Sequence, residues 1–299
     1  MAEINRQNKD RLFQFIFGKP ENRRWTLSLY NAINGSSYTD PEAITITTIK
    51  NVLYMGMKND VSFIVDETLN LYEQQASFNP NMPVRFLIYI GMIYSSYIDN
   101  ELNHINIYSS RQQMLPVPKL VCFYNGLQEQ KDNQILRLSS AFPKEADADI
   151  DVKVKMININ YGKNGDLLDA CRPLRDYSFL IDRIRYWQKE LGDPEQAVDL
   201  ALDELPDDSE IKDYLLSNKA EVRRMCITEY DEVRTMNMIR EEGIEEGREE
   251  GREEGREEGQ NKLGRLITVL ISQGRMDEIG LAAKDAEFRN RLYEELQIS

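Results

Sequence analysis

The sequence predicts a mixed α/β fold with a helical C-terminal part. Three observations carry that expectation. Residues 59–75 alternate on both sides of Asp66-Glu67, the pattern of a β-hairpin. Short apolar or alternating runs at 115–124, 135–142 and 150–159 read as further strands, after a helical stretch that begins near Asn81. From Leu167 onward the apolar spacing turns helical, punctuated by Gly192-Asp193-Pro194 and Pro206. Strands mixed with helices first and helices alone afterwards imply a sheet-based core followed by helices. The expected division is a core over 1–190, a helical extension over 191–240 and a repeat tail with C-terminal helices over 241–299.

The elements follow in order. Residues 9–17 suit a short helix with Leu12, Phe13, Ile16 and Phe17 on one side, ended by Gly18 and Pro20. Residues 21–33 suit a second, with Trp25, Leu29, Ala32 and Ile33 inward and Asn34-Gly35 as its stop. The β-branched stretch 44–57 fits either a strand or a helix. After the hairpin, Asn81 is placed to cap a helix with Pro83 in its first turn, running to about Tyr97. Residues 115–124 form an apolar strand closed by Asn125-Gly126. In the strand at 150–159, Ile150, Val152, Val154 and Met156 alternate with Asp151, Lys153 and Lys155. Helices are expected at 174–190, 194–204, 208–217 and 220–240.

The tail repeats EEGI, EEGR, EEGR, EEGR, EEGQ over residues 241–260. A four-residue period sets its five glycines along one slowly drifting helical stripe. Each glycine costs a helix about 1 kcal/mol relative to alanine. Two readings fit: a helix whose glycine stripe admits a second helix and makes a homo-oligomer, or a solvated, partly helical linker. The apolar segment 263–271 needs a partner, which a last amphipathic helix at about 277–297 could supply from the same chain or another.

Composition narrows the function. An apolar content of 41% over 299 residues supports a real core. No apolar run reaches the roughly 18 residues of a membrane span, and the N-terminus carries no apolar signal segment, so a soluble, cytoplasmic chain is expected with no membrane partner. Cys122, Cys171 and Cys226 are too widely spaced for a disulfide framework or zinc ribbon. The single histidine, His104, excludes Ser-His-Asp hydrolases, helical two-His zinc sites and His-dependent nucleases. A net charge of −14 argues against wholesale wrapping of nucleic acid, yet residues 1–60 carry 8 basic against 6 acidic residues.

The hairpin holds the candidate chemistry. If Asp66-Glu67 form its turn, Val65 faces Thr68, Ser62 faces Leu71 and Asp60 faces Glu73; a four-residue loop on that pair keeps this register, and a three-residue loop shifts it by one. Opposed like charges destabilise a sheet, and a bound divalent cation offsets them. Gln75 lies on the same face, giving a D-x12-E-x-Q set. Magnesium favours such carboxylate oxygens, and it can activate water and neutralise charge on a phosphodiester. Gln75 would hydrogen-bond the attacking water or a phosphate oxygen, without the cationic acid that lysine would provide. The plain alternative leaves Asp60 a hairpin cap, Glu73 exposed and Gln75 merely polar. On the next helix, Arg85 and Tyr89 are spaced i,i+4 and share a face, with Arg85 suited to phosphate and Tyr89 to orienting Gln75 or the scissile group. There too an ordinary core tyrosine and a surface arginine are the alternative.

The runs KNDVSF, LNLYEQQASFNPNMPVRFLIY and VPKLVCFYNG, with the glycine-punctuated tail, resemble the Rpn recombination-promoting nucleases, transposase-like members of the PD-(D/E)xK superfamily. The resemblance covers roughly Asn8 to Ile184 and the tail. It implies a restriction-endonuclease-like core, a mixed sheet flanked by helices, with Mg²⁺-dependent DNA cleavage and with Mn²⁺ or Ca²⁺ as substitutes in vitro. By position, Asp60 and Glu73 become metal ligands, the Gln74 backbone carbonyl a further one, and Asp10 an additional acidic residue. Gln75 stands in place of the usual lysine, and Arg85 and Tyr89 match the phosphate-side helix position. The expected function is therefore a DNA endonuclease associated with recombination or mobile elements. The alternative is a non-catalytic nuclease-like interaction protein assembled through its tail.

Overall fold

The computed structural model describes residues 12–46, 60–100, 110, 112–143 and 147–298. Helix α1 (Leu12–Phe17) buries Leu12, Phe13, Phe15, Ile16 and Phe17, and a short 3-10 turn at Pro20–Asn22 leads into α2 (Arg23–Asn34). Buried polar groups fix that corner: Thr26 donates to the Phe17 carbonyl (2.6 Å) and Asn22 to that of Phe15 (3.1 Å). Gly35 ends α2 at φ +62°, a left-handed conformation in which its N–H reaches the Asn31 carbonyl.

Strands β1 (Thr45–Ile46), β2 (Val61–Val65) and β3 (Thr68–Gln75) come next, followed by helix α3 (Met82–Asn100). Then follow β4 (Val117–Tyr124), β5 (Asn133–Arg137) and β6 (Lys153–Asn158). Among the described residues these six strands form one mixed sheet in the order β1-β2-β3-β4-β6-β5. Strand β4 runs parallel to both β3 and β6, and the remaining pairs are antiparallel. The β3–α3–β4 segment is the crossover that a parallel pair requires.

The β2–β3 register pairs Val65 with Thr68, Ile64 with Leu69, Ser62 with Leu71 and Val61 with Tyr72. Its turn holds Asp66 at φ +51°, a conformation that aspartate tolerates better than most residues. Side-chain alternation then sorts the strands between two cores. Leu69, Leu71, Cys122, Tyr124, Val154 and Met156 pack with Phe86, Tyr89 and Ile93 of α3. On the opposite face, Phe63, Tyr72, Phe123 and Ile157 cluster with α1, α2 and the later helices.

Those helices are α4 (Gly165–Ala170), α5 (Arg172–Leu191), α6 (Pro194–Asp203), α7 (Lys212–Ser217) and α8 (Lys219–Ser272). Leu174, Leu180, Ala201, Leu215 and Val222 bury their side chains in that second cluster. Two compact units result, Met1–Val233 and Arg234–Ser299. In the latter, Leu266 and Leu270 of α8 share a core with Ala282 of α9 (Met276–Lys284) and Leu292 of α10 (Ala286–Glu295). The apolar segment 263–271 thus finds a partner within its own chain. Among the described residues no helix is long and apolar enough to cross a membrane.

Several local expectations need correction. The strand expected at 135–142 stops at Arg137 and becomes a 3-10 turn over Leu138–Ala141, where Asp151 accepts a hydrogen bond from the Ser139 N–H (3.0 Å). Ile150 is exposed, because β6 begins only at Lys153. The single last helix is two, broken at Asp285, whose carboxylate accepts from the N–H groups of Glu287 and Phe288 and caps the second. Residues 208–211 precede α7, and the helix expected at 220–240 falls within α8. Of the ambiguous stretch 44–57, Thr45–Ile46 is strand and residues 47–57 lie outside the described residues, as do Asp10 and His104. All three cysteines are buried and in no disulfide.

Candidate active site

Asp60 immediately precedes β2, and Glu73, Gln74 and Gln75 end β3, one step beyond the Val61–Tyr72 pair. The backbone locks the two carboxyl groups together at that step. The Asp60 N–H donates to Glu73 Oε2 (3.1 Å), and the Gln74 N–H donates to Asp60 Oδ2 (2.7 Å). Asp60 is 6% exposed, Glu73 1%, Gln74 0% and Gln75 7%, so bulk water screens none of them well. The plain expectation of an exposed Glu73 is therefore wrong: with the register set by the turn, its position points inward. The Gln75 side-chain amide donates to Glu73 Oε1 (3.4 Å) and to the Gln74 carbonyl (2.9 Å).

Helix α3 brings the cation. Arg85 Nη2 pairs with Glu73 Oε1 and donates to the Tyr89 hydroxyl (3.0 Å), one helical turn further on. Tyr89 belongs to both expected descriptions. Its ring is 1% exposed and packs edge-on against Phe86 in the core, while its hydroxyl meets the site. All six residues from the hairpin and α3 come together; Asp10 lies outside the described residues.

The electrostatics follow from burial. Burial pulls the Arg85 pKa down, but the Glu73 carboxylate, with Tyr89 and Asp60, outweighs it and leaves the guanidinium more firmly protonated than usual. Tyr89 is pushed up to about 12, first by burial and then by the Glu73 carboxylate, with Arg85 opposing. It is a neutral phenol at physiological pH, and so a hydrogen-bond donor as well as an acceptor.

The segment Tyr124-Asn125-Gly126 supports this corner, and no role for its side chains was read from the sequence. The Gln74 side chain donates to Asn125 Oδ1 (2.6 Å), and Asn125 Nδ2 donates to the Tyr177 hydroxyl on α5 (3.2 Å). Arg185, also on α5, donates to the Asn125 carbonyl and to Asn160 Oδ1 (3.1 Å). A Cβ at Gly126 would collide with the Ala76 carbonyl and the Tyr124 hydroxyl, which itself donates to the Gln128 carbonyl (2.6 Å). Only a strand end followed by Asn-Gly was legible. The partners on α5 are about 50 to 60 residues away in sequence, and local spacing carries no trace of them.

The donor set fits a hard divalent cation. Two nearly fully buried carboxyl groups lie beside the Gln74 backbone carbonyl, with the Arg85 guanidinium on Glu73, and a buried negative charge favours a cationic partner. The protein offers few ligands, however: among the described residues no group of three or more His, Cys, Asp or Glu side chains is placed to hold a metal. An octahedral ion would complete its shell with water and phosphate oxygens. No family model matches the chain, and neither a curated protein nor a solved structure matches it.

Proposed function

We propose that this protein is a cytoplasmic, Mg²⁺-dependent DNA endonuclease with a restriction-endonuclease-like core, acting in recombination or on mobile elements. One observation carries the reading: Asp60 and Glu73 are held together by the Asp60 and Gln74 N–H groups, are nearly excluded from water, and have Arg85 beside Glu73. Asp60, Glu73 and the Gln74 carbonyl would hold the ion, which supplies an activated water and neutralises charge on the phosphodiester. The Gln75 amide, which rests on Glu73 Oε1 and the Gln74 carbonyl, would turn its N–H groups to the water or a non-bridging phosphate oxygen once an ion takes those oxygens. Arg85 fixes the Glu73 carboxylate and places a permanent positive charge beside the phosphate. Tyr89 holds the Arg85 guanidinium in place and, as a neutral phenol, can donate to a phosphate or leaving-group oxygen. The tail is proposed to assemble homo-oligomers.

The test is plasmid DNA with Mg²⁺ and purified wild type, Asp60→Ala and Glu73→Ala. Wild type should nick or linearise the plasmid, and each variant should lose at least about 100-fold in rate, the scale of removing a required catalytic group. Equal cleavage by all three proteins rejects the site.

A second reading is a non-catalytic interaction protein. It is favoured by the hydrogen bonds that the same oxygens make within the protein: Glu73 accepts from Arg85, the Asp60 N–H and Gln75. Absence of cleavage across metals and salt concentrations selects it.

A further inference from the structure

We infer that the cleft between the loop after β4 and the end of α5 is a second binding site, which takes a nucleotide of the DNA strand flanking the scissile phosphate. The identity of its ligand rests on the nuclease reading above; its existence as a cleft does not. The cavity measures about 780 Å³, within the roughly 300–1,000 Å³ of small-ligand pockets. It lies at the carboxyl ends of the parallel strands, where open α/β sheets bind ligands. Gln75 pairs with Tyr124, and Tyr124 with Asn158, so one row of the sheet joins the candidate active site to the cleft. Two strand spacings make that span about 10 Å.

A chain of hydrogen bonds runs along the same path, from Gln74 through Asn125 to Arg185 and Asn160. Arg185 and Asn160 both line the cleft.

The lining matches a nucleotide. Lys163, Arg185 and Lys189 line it with Glu129 and Asp182, Lys163 also pairing with Asp132 (3.6 Å), and the three cations are the groups suited to phosphate. Lys163 comes from the Gly162-Lys163-Asn164-Gly165 turn, which the Asn164 side chain pins to the Asp132 and Asn158 carbonyls (2.8 Å each). Gln128, Gln130 and Gln188 add side-chain amides, whose paired donor and acceptor read base edges. Gln188 Nε2 is itself buried and has no protein hydrogen-bond partner, a donor with its valence open. Tyr186 is 46% exposed, and its ring is held by the Arg183 guanidinium (4.2 Å) and Trp187 (5.1 Å), a preorganised surface for base stacking.

The experiment uses the full chain and a short fluorescein-labelled single strand of DNA, with an RNA strand of the same sequence in parallel. Anisotropy in EDTA measures binding without cleavage, and the same preparations are assayed on plasmid with Mg²⁺. Tyr186→Ala, Gln188→Leu and Lys163→Glu should each weaken DNA binding about tenfold, as expected for loss of one stacking or polar contact, while melting as wild type does. Binding equal to wild type in all three overturns the cleft assignment, and plasmid cleavage by wild type in that case leaves the nuclease reading standing. Cleft-dependent binding without cleavage supports the cleft and removes the nuclease reading. Binding of RNA alone overturns the assignment to DNA.

Discussion

Glu73 is the residue on which the site's energetics turn. Its carboxylate is 1% exposed and pairs with Arg85, so removing that cation breaks a buried ion pair, a loss of up to about 3–5 kcal/mol. Arg85→Ala should therefore lower the melting temperature in EDTA, and Mg²⁺ should recover more of the loss than it adds to wild type. A variant that melts like wild type in both conditions rejects the charge balance. Tyr89 gives a pH signature. Its pKa is raised from 10 to about 12, so the unfolded chain releases this proton first. The stability it contributes is complete below pH 10 and is lost as pH rises through 12. Tyr89→Phe should flatten that part of the melting-temperature profile, and parallel profiles above pH 10 reject the role. Arg85 and Tyr89 were legible as a pair because i,i+4 spacing fixes a shared helical face. A helix directly after the second strand was expected to aim both at the carboxylates, and Arg85 does reach Glu73.

At the scale of elements, the β2–β3 hairpin was readable. With Asp66-Glu67 as a two-residue turn, Val61, Phe63 and Val65 face one core together, and a shift of one would send them to the other face, against α3. The end of β5 and the start of β6 were not readable: Leu138 and Ile150 continue an apolar pattern, yet a 3-10 turn and an exposed position take them. Helix α8 carries the EEGR repeat, and a Cβ at Gly247, Gly251 or Gly255 would meet nothing within 4 Å. Replacing these three glycines by alanine should add about 1 kcal/mol of helix stability each and deepen the 222 nm circular dichroism signal. An unchanged or weaker signal would show that the repeat does not behave as a helix in solution.

For the whole molecule, the division into Met1–Val233 and Arg234–Ser299 separates the candidate site from the tail. Deleting residues 241–299 should lower the oligomeric mass in light scattering, and an unchanged mass would leave the tail a linker. By itself the sequence determined the α/β class, the hairpin, the i,i+4 pair on α3 and the D-x12-E-x-Q order, while the hairpin register waited on the structure. Each of these depends on the spacing of nearby residues, which periodicity and turn chemistry fix locally. Tertiary structure alone decided that Glu73 is buried, that Arg85 is its counter-charge, and that Asn125 joins β3 to Tyr177 and Arg185 on α5. Those contacts require the sheet to close in the order β3-β4-β6 and α5 to pack across its end. Long-range packing sets them, and no short stretch of the chain encodes it.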